Sequence, residues 1–374
     1  MHIHNRQKAS DLSTMTKRSD NLKDAVKFIC TVEFWRMAIC WTLSLLVSYF
    51  HLLFLKPRRP LPRRSIADAT ARPVCIITGA TSGLGAAAAF ALSKEGFHVV
   101  LVGRSLDLIR KTMQHIKERN EGAQLKAFQV DISSIESVLK FKDALHQWFL
   151  DSGVHSSVQL LINNAGILST SDRKTPEGFD QMMGTNYIGA FYLTKLLLPL
   201  LKNSPTPSRI VNVTSFTHRS VFSVAVNKGT VGGTCFSNFE QYPYAQIYGL
   251  SKFFLLLFSY QLHREESLID KSSQVSIIVV DPGAVKTKLM REVPSYISRT
   301  AFAVLKLLGL LQSPDSGARP IVDAALAPEE ISGVYFFGGN GRTINSTKLS
   351  YDSKLARRLW SVTSDLLEGY CDRD

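Results

Sequence analysis

The chain has 374 residues, 45% of them apolar and 20% charged, ordinary proportions for a folded protein long enough to build a sizeable core. Its net charge of +13 is uneven: residues 1–72 hold 13 Lys/Arg against 5 Asp/Glu, a net of +8, which leaves only +5 on the rest. That remaining body has no basic stripe interleaved with aromatics, so nucleic acid is not expected as a partner.

The five cysteines, Cys30, Cys40, Cys75, Cys235 and Cys371, show neither CxxC nor metal-ligand spacing. Such a scattered, odd set argues against a disulfide framework and fits a reducing compartment. The nine histidines include no HExxH pair, and no metal is expected.

Taken in chain order, a tail of residues 1–36 precedes Met37–Leu55, MAICWTLSLLVSYFHLLFL, nineteen residues without Asp, Glu, Lys or Arg. As a helix this run is about 28 Å long, close to the hydrocarbon thickness of a bilayer, and it reads as a transmembrane anchor. Trp35, Trp41 and Tyr49 suit the interfaces. A basic Pro/Arg linker, 56–72, follows, with five Lys/Arg between Lys56 and Arg64. By the positive-inside rule that cluster favours the cytosolic side. Of two glycosylation sequons, Asn212-Val-Thr lies in an expected buried strand and Asn345-Ser-Thr in an expected loop.

A folded domain is expected over 73–374. Short apolar runs at Val74–Thr78, His98–Val102, Ala127–Val130, Val158–Ile162, Ile210–Val213 and Val275–Val280 alternate with helix-period segments. Those segments are Leu106–Lys117, Ile135–Phe149, Phe179–Leu201 and Ile247–Arg264. Uniformly apolar strands between helices indicate a parallel sheet covered on both faces, a doubly wound α/β fold with its ligand at the carboxyl ends of the strands.

The first turn, Thr78-Gly79-Ala80-Thr81-Ser82-Gly83-Leu84-Gly85, joins the first strand to the first helix. Glycines there let backbone approach a pyrophosphate, and the helix N-terminus offers free N–H groups. Gly79, Thr81, Ser82, Gly83, Leu84 and Gly85 are therefore candidate cofactor residues. After the second strand comes Arg104, where an NAD-preferring protein usually has an acid for the ribose 2′-hydroxyl. A guanidinium suits a 2′-phosphate instead, so NADP(H) is preferred over NAD(H). Asp131 and Ile132, after the third strand, are expected near the adenine.

Four motifs in order, TGATSGLG, Asn163-Asn-Ala-Gly166, Tyr248-Gly-Leu-Ser-Lys252 and Asp281-Pro-Gly283, resemble those of the short-chain dehydrogenases/reductases. Their order and spacing match over roughly Pro73–Phe337. Lys174-Thr-Pro-Glu-Gly-Phe and Gly-Thr-Asn186-Tyr-Ile-Gly-Ala-Phe-Tyr-Leu-Thr resemble the retinol-dehydrogenase-like branch, in which an N-terminal membrane anchor is common. The expectation is a Rossmann-type fold on a parallel seven-stranded sheet, preceded by the anchor. The resemblance implies a lipophilic alcohol or carbonyl as substrate: retinoid, steroid, polyprenoid or long-chain aldehyde. The expected location is a single-pass position in the endoplasmic reticulum with the domain cytosolic. A chloroplast envelope is the alternative, set against Asp11, Asp20, Asp24 and Glu33, since transit peptides are poor in acids.

Reducing a carbonyl needs a proton as well as a hydride, and a free tyrosine has a pKa near ~10. A cation beside it lowers that value, and Tyr248 and Lys252 are i and i+4 on one helix face. By resemblance, Ser215 steadies the substrate oxygen and Asn186 holds a water leading to Lys252. The resemblance also sets Asn164, Ala165, Gly166, Tyr248, Lys252, Pro282 and Gly283 against the cofactor, with the Val285 backbone and Thr287 at the nicotinamide carboxamide. Short-loop members have twelve residues between serine and tyrosine; here there are 32. Phe216–Pro243 is accordingly expected as an enlarged loop over the substrate cleft, with Ser237 the alternative serine. Ile297–Leu311 is expected as either a substrate lid or a core helix, and Phe253–Phe258 as core or the interface of a homodimer. A non-catalytic nucleotide sensor or scaffold is the rival reading; it predicts loss of a catalytic residue, and all four are present.

Overall fold

The computed structural model describes residues 26–54, 61–63, 72–269 and 275–371. The tail to residue 25 and most of the 56–72 linker lie outside them.

Seven strands form one parallel sheet: β1 Val74–Thr78, β2 His98–Gly103, β3 Gln124–Gln129, β4 Leu160–Asn163, β5 Ser208–Val213, β6 Val275–Asp281 and β7 Val334–Phe337. Their order is β3-β2-β1-β4-β5-β6-β7. Side-chain alternation divides the core in two. Val74, Ile76, Val100 and Val102 face one layer, while Cys75, Ile77, Val99 and Leu101 face the other. Because both layers are covered by helices, the central strands are largely apolar, whereas the edge strand β3, QLKAFQ, is only half-buried.

The first layer holds helices α4 (Ile135–Ser152), α5 (181–202), α6 (Tyr244–Ile269) and α9 (Ser353–Cys371). Opposite lie α2 (Gly83–Lys94), α3 (Leu106–Arg119) and α8 (Pro314–Ala325). Ser105 and Ser134 cap α3 and α4 by accepting from Leu108 N and Ser137 N. Phe253–Phe258 is buried inside α6, with no exposed surface for a second copy. Winding reverses between β1 and β4, and the crevice at their carboxyl ends is where such folds bind ligands.

An apolar helix, α1 (Val32–Phe54), begins five residues before the expected run and contains a π-turn at Arg36–Cys40. It lies along the domain. Arg36 donates to Gln246 at 2.9 Å, Arg219 to Ser48 at 2.9 Å, and Tyr49 meets Phe337 edge-on. Leu45 and Leu52 share a small core with Leu256, Tyr335 and Phe337. Its two central serines, Ser44 and Ser48, point inward, whereas Ile39, Leu43, Leu46, Val47 and Phe50 are exposed. Part of the linker is tied down as well: Leu61 N donates to Gly341 O, and Arg63 pairs with Asp323 at 2.7 Å.

Candidate active site

One cavity of about 890 Å³ opens at the carboxyl ends of β1 and β4. Every residue expected at the cofactor lines it: Gly79, Thr81, Ser82, Gly83, Leu84, Gly85, Arg104, Asp131, Ile132, Asn164, Ala165, Gly166, Pro282, Gly283, Val285 and Thr287. So do Ser215, Tyr248 and Lys252. Asn186 sits just behind the wall.

The glycine turn is shaped by its neighbours. Gly79 and Gly83 have φ of 66° and 54°, where a side chain is strained. A Cβ on Gly79 would lie 2.9 Å from Ala165 Cα, and one on Gly85 only 2.3 Å from Gly79 O. Thr78 Oγ accepts from the amides of Asn164 and Ala165, each at 3.0 Å, and Asn164 Nδ2 returns a bond to Thr78 O at 2.8 Å. These bonds lock the β1 and β4 ends together. Ser82, at the N-cap of α2, spends no side-chain bond on the helix, leaving its first amides free toward the cavity. This cradle fits a dinucleotide pyrophosphate. Arg104 is exposed at its edge, and its guanidinium has no hydrogen-bonding partner among the described residues. Asp131 accepts from the backbone and hydroxyl of Ser133.

Tyr248 is 5% exposed and Lys252 is 4% exposed, on consecutive turns of α6. Lys252 Nζ donates to Val213 O at 3.0 Å, at the end of β5. Burial lowers its pKa to about 8, and the Asp281 carboxylate partly offsets this. The Tyr248 phenol is pushed up by burial; the Ser215 side chain lowers it and Asp281 raises it again. Burial is thus the dominant influence on the phenol. The ammonium is drawn to the strand-end carbonyl, while the phenol, buried among apolar neighbours, resists ionisation.

Asn186 stands in a π-turn at Gly184–Ile188, its amide bonded to both backbone groups of Ile167 and to Ser251. Any Cβ on Gly166 would lie 3.2 Å from Lys252 Nζ and 3.4 Å from Asn186 Oδ1. The glycine thus leaves a gap on which the lysine and asparagine heads converge.

Ser215 begins the 3-10 turn Phe216–Ser220 and is 8% exposed. Ser237 is elsewhere, accepting from Lys174. Between them, only Phe216 and Thr217 of the long loop line the cavity. Val221, Val226, Val231 and Phe236 are buried in the first core layer, and Asn227 forms a capping box for the short helix Lys228–Gly232. The loop therefore folds down onto the domain, contrary to the expected cover over the cleft.

That cover comes from two helices. In α7 (Ser295–Leu307) no residue is buried, and Tyr296, Ile297, Ala301 and Leu305 line the cavity. From α1 come Met37, Trp41 and Leu45, with the Trp41 and Tyr248 ring centroids 5.3 Å apart. The sequence had offered Trp41 only as an interfacial residue. Asp281 was seen as part of a motif without a role; it is fully buried, accepts from Tyr335 Oη at 2.6 Å and Gly283 N at 2.8 Å, and has a pKa raised to about 6 by burial.

The fold and this cavity define a nicotinamide-dependent oxidoreductase of doubly wound type, and known proteins agree. Residues 73–227 match the short chain dehydrogenase family. A human polyprenol dehydrogenase is 34% identical over 301 residues, covering 78% of this chain and 84% of that protein. Human retinol dehydrogenase 13 is 29% identical over 301 residues, covering 78% and 83%. A crystal structure of a putative uncharacterized protein from Mycobacterium Paratuberculosis superimposes with a TM-score of 0.59 at 25% identity, over 82% of this chain and 98% of that one. The chain belongs to the short-chain dehydrogenase/reductase family, and is retinol-dehydrogenase-like within it.

Proposed function

We propose that this protein is a membrane-held, NADP(H)-preferring oxidoreductase that interconverts an alcohol and a carbonyl on a lipophilic molecule of the retinoid, steroid, polyprenoid or long-chain aldehyde kind. One observation carries this reading: Ser215, Tyr248 and Lys252 meet in a cavity with a glycine cradle at one end and an apolar two-helix wall at the other.

The bound nicotinamide supplies or accepts the hydride. The protein supplies the proton. Burial keeps the Tyr248 phenol protonated, the state required to give its Oη proton to a carbonyl oxygen. Ser215 Oγ donates to the same oxygen and steadies its developing charge. Lys252, with a pKa of about 8, exchanges protons near neutral pH, and the gap at Gly166 with Asn186 behind it suits a water that returns the proton. Arg104 supports the NADP(H) preference: an exposed, unengaged guanidinium at the second strand's end suits a 2′-phosphate.

Residues 37–55 support a membrane seat. A helix apolar all round needs both faces covered. Here the domain covers the side bearing Ser44 and Ser48, and an outer side dominated by Ile39, Leu43, Leu46, Val47 and Phe50 is left for lipid. The basic run after it supports a cytosolic domain, with the endoplasmic reticulum as the membrane.

NADPH oxidation by the full chain, measured against retinal, a steroid ketone, a polyprenal and a long-chain aldehyde, with NADH as competitor, tests this. Turnover lost in Tyr248→Phe is the expected result. Tight NADPH binding without turnover on any of them would sink it.

A further inference from the structure

The N-terminal helix contributes more than a lipid-facing surface. Trp41 packs on the ring of Tyr248, centroids 5.3 Å apart and planes at 47°. Met37 and Leu45, one turn to either side, are buried on the same face, and all three line the cavity. The Trp41 indole N–H is itself buried with no partner among the described residues, an arrangement that folding alone does not favour. The anchoring bonds flank this stretch: Glu33 accepts from Ala245 N just before it, and Ser48 accepts from Arg219 just after. The helix is thereby held with residues 37–45 over the catalytic tyrosine. Across the cavity α7 presents Ile297, Ala301 and Leu305 and has no buried residue of its own.

We propose that α1 is the substrate-side wall of the active site and that Trp41 is a specificity-determining residue, holding a long apolar chain of isoprenoid type so that its oxygen-bearing carbon lies at Tyr248. This rests on the oxidoreductase reading above. A short substrate needs only Ser215 and Tyr248; a long one must also lie between α1 and α7, where it contacts Trp41.

The test uses the full chain in phosphatidylcholine nanodiscs. A farnesol analogue carrying a diazirine, photolysed with NADP⁺ present, should label the cavity-facing Met37, Trp41 and Leu45 in preference to the lipid-facing Ile39 and Leu43. In kinetics, Trp41→Ala should raise KM for farnesal roughly 10-fold more than KM for propanal, while the Kd for NADPH stays within about 2-fold. Trp41→Phe should restore most of the farnesal affinity, which separates pocket shape from folding. Equal losses on farnesal and propanal, or label confined to segments outside α1, would overturn the proposal. Should the wild-type chain turn over neither aldehyde, the photolabel decides alone: label at Met37, Trp41 or Leu45 upholds the wall, and label absent from them removes it, while the oxidoreductase reading is judged separately on its own substrate panel.

Discussion

The Tyr335 hydroxyl donates to the Asp281 carboxylate at 2.6 Å, in a site with no solvent access beside Tyr248 and Lys252. Burial holds the Asp281 pKa at about 6, above the ordinary 3.8, so between those values the folded state binds more protons than the unfolded one. Its contribution to stability is complete below about pH 4 and is lost as pH rises through 6. Asp281→Asn should therefore melt higher than wild type at pH 8, by roughly 1–2 kcal/mol, with the gain vanishing at pH 4. Thermal melts across that range check it. The carboxylate also raises the Lys252 and Tyr248 pKa values. Without it, the alkaline limb of kcat/KM for reduction should move to lower pH.

Tyr248→Phe should lower kcat/KM by about 10²–10⁴-fold, because it removes the proton donor and little else. The Kd for NADPH, read by fluorescence titration, should be unchanged. Intact turnover would move the proton donor elsewhere.

Arg104→Ala should weaken NADPH binding by about 10–100-fold, the loss of a charge-assisted bond to phosphate, with NADH affinity unchanged or improved. Equal effects on both nucleotides, measured by calorimetry, would remove Arg104 from the 2′-phosphate.

In the glycine turn, Gly85→Ala should cost about 1–3 kcal/mol, since its Cβ would press on Gly79 O at 2.3 Å and on the Asn164 amide. Denaturant unfolding reads the loss. NADPH binding should fall with it, because the same carbonyl and amide set the cradle.

Much of this site was legible because its signals are local. The glycine turn follows from backbone geometry at Gly79 and Gly83, and Tyr248–Lys252 from helix spacing. The strand VYFF at Val334–Phe337 was passed over, being four residues between glycines with no helix period after it. Lys252's partner is the carbonyl of Val213, and a main-chain acceptor leaves no mark in side-chain identity. The 216–243 loop gave length but not direction; its buried valines pull it toward the core. Hydropathy found α1 but not its place, since an apolar helix reads alike whether its neighbour is lipid or protein.

Lysines at Leu43, Leu46 and Phe50, on the outer face of α1, should release the protein from membranes into the carbonate-soluble fraction, because each puts a charge on the face that meets lipid. Propanal turnover should persist. Retention in the pellet would take the anchoring role from this face.

The partners of the N-terminal segment lie far downstream: Arg219 for Ser48 is 171 residues away, and Asp323 for Arg63 is 260. During translation at about 5–20 residues per second, the helix is out of the ribosome for roughly 10–50 s before those partners exist. Both of its faces are bare in that interval, so targeting machinery meets a continuous apolar helix. On the membrane-held reading proposed above, delivery to the bilayer is thus decided before the enzyme has a pocket, and the last-made strand turns a delivery signal into the proposed wall of the active site.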